Sequence, residues 1–282
     1  MPGTLFVVST PIGNLEDITF RAVRVLGEVD VIACEDTRHS RKLLNHYGIK
    51  TRTVSYHEHN EHERAVELVA ALQSGTNVAI VSDAGTPGIS DPGFRLVHLA
   101  SASGLRVVPV PGPTALIAAL VASGLPADEF FFAGFLPSKS SARRTRLNHL
   151  SNIRATLVFY EAPHRIARAL KDMREVLGER EAVVARELTK VYEEIVRGRL
   201  SELETHFGSE KEVRGELVII VDQKVIDEPA SGEDELASLD SVVAALEAQG
   251  LDSRAALKQA AKKLGISRAE AYRQLVVLRN RK

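Results

Sequence analysis

Residues Val78 to Gly93 read VAIVSDAGTPGISDPG, an apolar run that empties into a loop of glycines, prolines, hydroxyls and two aspartates. Val78, Ala79, Ile80 and Val81 show no polar alternation, which suits a strand covered on both faces in a parallel sheet. Ligands bind at the carboxyl ends of such strands. Gly85, Gly88 and Gly93 let the backbone turn at positive φ and approach a ligand, while Asp83 and Asp91 can accept hydrogen bonds from hydroxyl or amino groups. The loop lacks the Gly-Lys-Ser/Thr of a polyphosphate site and the G-x-G-x-x-G of a dinucleotide site. It therefore suits a neutral or positively charged ligand, and a sulfonium cofactor fits; a solvated turn between strand and helix is the plainer alternative.

The first 125 residues alternate apolar runs with helix-like segments, the order of a parallel α/β sheet. LFVVS, DVIAC, TRTVSY, NVAIVS and LRVVPV are the strand candidates. In the helical stretch from Asn60 to Gly75, Asn60 and Glu63 resemble a capping box. From 126 to 222, DEFFFAGF, ATLVFYEA, EAVVARE, VYEEIVRG and GELVIIVD mix helical crossovers with hairpin-like gaps, which predicts a second α/β domain with a mixed sheet. A cleft between two such domains is a usual place for a small-molecule site.

Residues 223–238 read as an exposed linker, since Asp222 to Asp240 holds seven acidic residues against Lys224. Residues 239–282 read as a helical accessory domain resembling a helix-turn-helix, with nine basic residues and two acids from Leu251 to Lys282, a pattern suited to phosphate contacts or to a solvated helical cap. That local excess is hidden in a net charge of −1. The single cysteine, Cys34, excludes a disulfide framework and reads as a small buried residue in a reducing cytosol. The start shows no basic n-region, long apolar stretch or cleavage pattern, so a cytoplasmic protein is expected.

Further loops carry chemistry-bearing residues to the same sheet edge as Asp83. STPIGNLEDIT places Pro11 and Gly13 after the first strand, and VPGPTAL places Gly112, Pro113, Thr114 and Ala115 after the fifth, where Thr114 opens a helix with free amides. CEDTRHSRK brings Glu35, Asp36, Arg38 and His39, and FYEAPHRI brings Glu161, His164 and Arg165 from the second half. Either of the last two could be only a capping cluster.

Together with YHEHNE, ARELTK and RGELVI, these strings span residues 1 to about 222 in order. They resemble the tetrapyrrole methylase-like superfamily of S-adenosylmethionine enzymes, and within it the ribosomal RNA small subunit methyltransferase I family. The resemblance implies the two-domain methylase fold, S-adenosylmethionine in the interdomain cleft, a homodimer, and 2′-O-methylation of a cytidine ribose in 16S rRNA of the small ribosomal subunit. It also implies that Pro11, Asp83, Gly85, Thr86, Gly112, Pro113, Thr114 and Ala115 line the cofactor pocket, joined by residues from Phe159 to Ala162.

Attack of a ribose oxygen on a methyl carbon gains from in-line positioning and from a base within hydrogen-bond reach. The candidate bases are Asp36 and Glu161, with Glu35 behind them; water, or no dedicated base, is an alternative. For RNA phosphates the candidates are Lys139, Arg143, Arg144 and Arg146 in PSKSSARRTR and Arg186 and Lys190 in ARELTK, with an exposed basic helix end as the plain alternative. His57, His59 and His62 lack a second donor cluster, so no metal is expected and contacts at the substrate rim are. A small acceptor such as a tetrapyrrole, or a non-catalytic regulator binding nucleic acid through its tail, are the competing readings. The basic segments favour RNA over the small acceptor.

Overall fold

The expected apolar runs form the strands of two five-stranded sheets in a computed structural model, which describes residues 1–210, 212–223, 242–243, 246–247, 251–263 and 271. The chain divides into a unit from Met1 to Lys224 and a unit from Val225 to Lys282.

The first sheet holds β1 (Thr4–Val8), β2 (Val31–Cys34), β3 (Arg52–Ser55), β4 (Val78–Val81) and β5 (Arg106–Val110), all parallel, in the order β3-β2-β4-β1-β5. Its crossovers are α1 (Phe20–Glu28), α2 (Thr37–His46), α3 (Glu61–Gln73) and α4 (Phe94–Ala102). Leu68, Leu72 and Leu96 cover one face, and Val25, Leu26 and Leu44 the other. All four β4 residues are consequently buried, which is why that run shows no polar alternation. Burying Val78, Ile80 or Val81 contributes roughly 1.5–3 kcal/mol each.

α5 (Ala115–Ser123) passes from this sheet to the second, formed by β6 (Phe130–Phe135), β7 (Thr156–Glu161), β8 (Glu181–Arg186), β9 (Glu194–Arg199) and β10 (Leu217–Val221) in the order β6-β7-β10-β8-β9. β6 runs parallel to β7 and the remaining pairs are antiparallel, so the sheet is mixed as expected. α6 (Ser140–Leu150), α7 (Ile166–Leu177) and α8 (Leu200–Ser209) supply the helices of this half. The period-two alternation of strands sorts its side chains: Leu157, Phe159, Leu217 and Ile219 join one core, whereas Val158, Tyr160, Val218 and Ile220 face Leu116 and Leu120 of α5.

The capping box expected at Asn60 does not form. Its side chain accepts from the His57 amide at 2.9 Å and donates to the Ser55 hydroxyl at 3.2 Å, so a local turn takes the groups a cap would use. Cys34 is buried, and burial raises its thiol pKa.

In the second unit, α9 (Ser253–Lys263) is one of the expected tail helices, and Val243, Ala256, Leu257 and Ala260 are buried together. The linker from 224 onward, the Gly265 turn and, apart from Ala271, the last predicted helix lie outside the described residues. Among the described residues no helix is long and apolar enough to cross a membrane.

Candidate active site

Adjacency of β4, β1 and β5 brings three loops together at their carboxyl ends. Thr10 and Gly85 exchange both backbone hydrogen bonds, at 2.8 and 3.0 Å, and the Ser9 and Thr86 hydroxyls meet at 2.8 Å. Gly85 needs its glycine for a φ of +79°. Gly112 needs its own for space, since a Cβ there would lie 2.9 Å from that of Ser9.

These loops and the second sheet enclose a cavity of about 340 Å³. Ile12, Gly85, Thr86, Asp91, Thr114 and Ala115 line it from the first half, and Tyr160, Glu161, Ala162, Leu188, Glu216 and Val218 from the second. The halves touch closely here: a Cβ on Gly13 would lie 2.5 Å from Lys190 Cγ, 2.7 Å from Thr189 Oγ1 and 3.0 Å from the Leu188 carbonyl oxygen. Ser90, Glu187 and Thr189 hold positive φ angles of 62°, 52° and 67° beside this cavity, strained backbone of the kind that clusters at ligand sites. The wall is apolar at Ile12, Ala115, Leu188 and Val218 and acidic at Asp91, Glu161 and Glu216. Burial raises the pKa of Asp91 and of Tyr160, whose hydroxyl is turned toward Thr114 and the start of α5.

Gly85, Thr86, Thr114, Ala115 and Ala162 thus meet at one cavity, with Pro113 next to it, its carbonyl 3.4 Å from the Thr86 hydroxyl. Pro11 and Asp83 instead line a neighbouring cavity. Phe159 is fully buried in the core on the α7 side, because strand alternation gives the lining place to Tyr160. Tyr160, Glu161 and Ala162 of the expected Phe159–Ala162 stretch do line the cavity, whereas Leu188 and the Gly215–Val218 segment were not singled out from sequence as lining, although the strings ARELTK and RGELVI contain them.

Three acids stood as candidate bases, and their surroundings separate them. Asp36 caps α2: its carboxylate accepts from the Arg38 amide at 2.8 Å and from the guanidinium at 3.1 Å, which holds its pKa at about 2. Glu161, 2 % exposed, accepts from the Ala162 amide at 2.8 Å and pairs with Arg165 at 3.0 Å, which is a structural engagement. Glu35 makes no side-chain hydrogen bond or ion pair among the described residues, and burial, then Asp83 and Asp91, raise its pKa.

Most of the proposed phosphate-binding cations are already engaged. Arg143 is a correction: only 3 % exposed, it donates from Nε to Asp172 at 2.7 Å inside the protein. Its period on α6 turns it inward while its neighbours stay outside. Arg144 pairs with Glu175, Arg186 with Glu210 at 2.8 Å, and Lys190 with Glu187 at 2.8 Å and Glu216 at 3.2 Å. Lys139, exposed, and Arg146, half-buried, carry no ion pair among the described residues. His57 and His59 lie ring against ring with centroids 6.0 Å apart.

The family profile of Tetrapyrrole (Corrin/Porphyrin) Methylases matches residues 4–204. The ribosomal RNA small subunit methyltransferase I of Mesorhizobium japonicum is 50 % identical over 278 residues, covering 98 % of this chain and 92 % of the relative. That of Pseudomonas aeruginosa is 57 % identical over 221 residues, covering 78 % of each. Among solved structures, uroporphyrin-III C-methyl transferase from Thermus thermophilus complexed with S-adenyl homocysteine superposes with a TM-score of 0.53 at 22 % identity, covering 77 % of this chain and 97 % of that one, a likeness of fold. On sequence over nearly its whole length, the chain belongs to the ribosomal RNA small subunit methyltransferase I family, within the tetrapyrrole methylases.

Proposed function

We propose that the protein uses S-adenosylmethionine to methylate the ribose 2′-hydroxyl of a cytidine in 16S rRNA of the small ribosomal subunit. The carrying observation is the cavity between the two sheets, in a chain 50 % identical to a small subunit rRNA methyltransferase. Its donors fit the cofactor. Asp91, without an ion pair among the described residues, favours a ligand bearing positive charge, while Glu161 and Glu216 are already met by Arg165 and Lys190; the amides that open α5 suit a carboxylate, and Ile12, Leu188 and Val218 give a dry wall for an aromatic ring. Bound there, S-adenosylmethionine supplies an electrophilic methyl group.

The chain's own part is positioning and proton removal. The reciprocal Thr10–Gly85 bonds and the Ser9–Thr86 contact hold the loops rigid, so donor and acceptor meet in a fixed line, an advantage on the order of several kcal/mol. Of the candidate bases, Glu161 lines the first cavity but is held by Arg165, and Glu35 lines neither cavity but is left without an ion pair among the described residues. A base works best with a pKa near the working pH, and Glu35 is shifted upward and unpaired whereas Asp36 is held at about 2. Lys139, Arg146 and the basic tail serve RNA phosphates; Arg144 ties α6 to α7, and Arg186 and Lys190 anchor the segments beside β8. Exposed Ile117 and Val121 on α5 support assembly of two copies, and the setting is cytoplasmic.

The test incubates pure protein with methyl-labelled cofactor and small subunits, then maps the product by mass spectrometry. Label on a cytidine 2′-oxygen of 16S rRNA is the expected result. Label on a base or on a small tetrapyrrole instead, or on neither, overturns the reading. Deletion after Asp222 should leave cofactor affinity intact and lower the salt dependence of RNA binding.

A further inference from the structure

We propose that the second cavity, between the Thr10–Leu15 loop and α2, is the subsite that seats the acceptor nucleotide, its phosphate on Lys42 and its sugar hydroxyls on Ser40, Ser82 and Asp83. The inference rests on the RNA-methylating reading above. This cavity measures about 260 Å³, below the ~300–1,000 Å³ usual for whole drug-sized ligands and suited to a single nucleoside. One loop serves both cavities: Ser82 and Asp83 line this one, while Ala84, Gly85 and Thr86 line the other. A group seated here therefore abuts the proposed methyl-donor site across the same short turn.

Two observations point to a polar ligand. Ser40 and Ser82 are 5 % and 2 % exposed, and both hydroxyl oxygens are buried without a hydrogen-bond partner. Ser40 lies near the Cys34 thiol and Ser82 near the Asp91 carboxylate, but neither closes a bond with it. Leaving a buried hydroxyl unpaired costs about 1–3 kcal/mol, and since both serines belong to the cavity wall, a rotation about the Cα–Cβ bond would give each hydroxyl a partner on a ligand seated there. Asp83 adds acceptor capacity, with Oδ1 bonded at 3.1 Å to the Asp36 amide and Oδ2 unbonded. His39 and Lys42 are exposed on α2 at the rim and carry no ion pair among the described residues. Leu15 and Leu43 complete the wall with the apolar surface a base or sugar face requires.

Methylation kinetics with small subunits as the varied substrate test the proposal, with calorimetry of S-adenosylhomocysteine alongside. S40V fills the bottom of the cavity, and L15W fills its rim from a side chain 39 % exposed, where the fold tolerates bulk. Both should raise KM for subunits about tenfold or more while cofactor affinity stays within twofold, and K42E should raise KM with a reduced salt dependence. If S40V fails to fold, L15W and K42E decide. Wild-type KM in the folded variants overturns the subsite alone; absence of RNA methylation by the unaltered protein overturns the parent reading as well.

Discussion

Replacing Asp172 with Ala removes the partner of a guanidinium that cannot reach water. Arg143 and Asp172 side chains are 3 % and 7 % exposed. Besides Arg143 Nε at 2.7 Å, Asp172 accepts from the Ser140 hydroxyl at 2.9 Å, while Arg143 Nη1 donates to the Ser138 carbonyl at 3.1 Å. Breaking a buried pair from one side costs about 3–5 kcal/mol, because the surviving charge stays desolvated. For a unit of this size each kcal/mol moves Tm by about 2–4 °C, so D172A should melt about 6–20 °C lower. Replacing both partners with apolar residues, R143M with D172L, should recover most of that loss, since a packed hydrophobic pair is often as stable as a buried ion pair. Thermal and urea unfolding of the three proteins are the assay. A loss under about 1 kcal/mol in D172A would refute the argument that this pair is buried and mutually dependent. The double variant should also keep the wild-type salt dependence of RNA binding, which an Arg143 serving a phosphate would lower.

Lys139→Ala and Arg146→Ala, at cations without acid partners, should each lower the slope of log affinity for RNA against log salt by about 1, read from filter binding at several salt concentrations. Gly13→Val should push the Lys190 segment off the first half, since even a Cβ meets the Leu188 carbonyl at 3.0 Å; calorimetry should show S-adenosylhomocysteine binding weakened about tenfold or more. Glu35→Gln should change stability with pH in one direction. The folded state raises this carboxyl from its ordinary 4.5, so it holds its proton more tightly than the unfolded chain does, and stability drains away as pH rises above that value. The glutamine variant should therefore gain stability over wild type at neutral pH and match it well below pH 4, in parallel urea titrations, while its methyl transfer slows.

The strands were readable because their signal is local. Each of the ten observed strands coincides with one of the runs read as strands, to within three residues at its start and one at its end, and β4 reads as buried on both faces from four consecutive side chains. SDAGTPGISDPG likewise declared a tightly turned loop, which the structure sets at the wall of both cavities, since Gly85 and its neighbours are needed only where backbone turns at positive φ or passes close to another group. Tertiary structure decided everything that depends on which face a residue presents and what sits opposite. It separated Tyr160 at the cavity from Phe159 in the core, turned Arg143 from the surface to Asp172, and placed Asp83 at a second cavity rather than the first. It also gave three similar carboxylates different surroundings, because a pKa is set by burial and by charges distant in sequence, such as Asp83 beside Glu35. Local composition dictates which segments become strands, helices and tight loops; only packing of the two sheets against each other decides which polar groups are paired and which are left to meet a ligand.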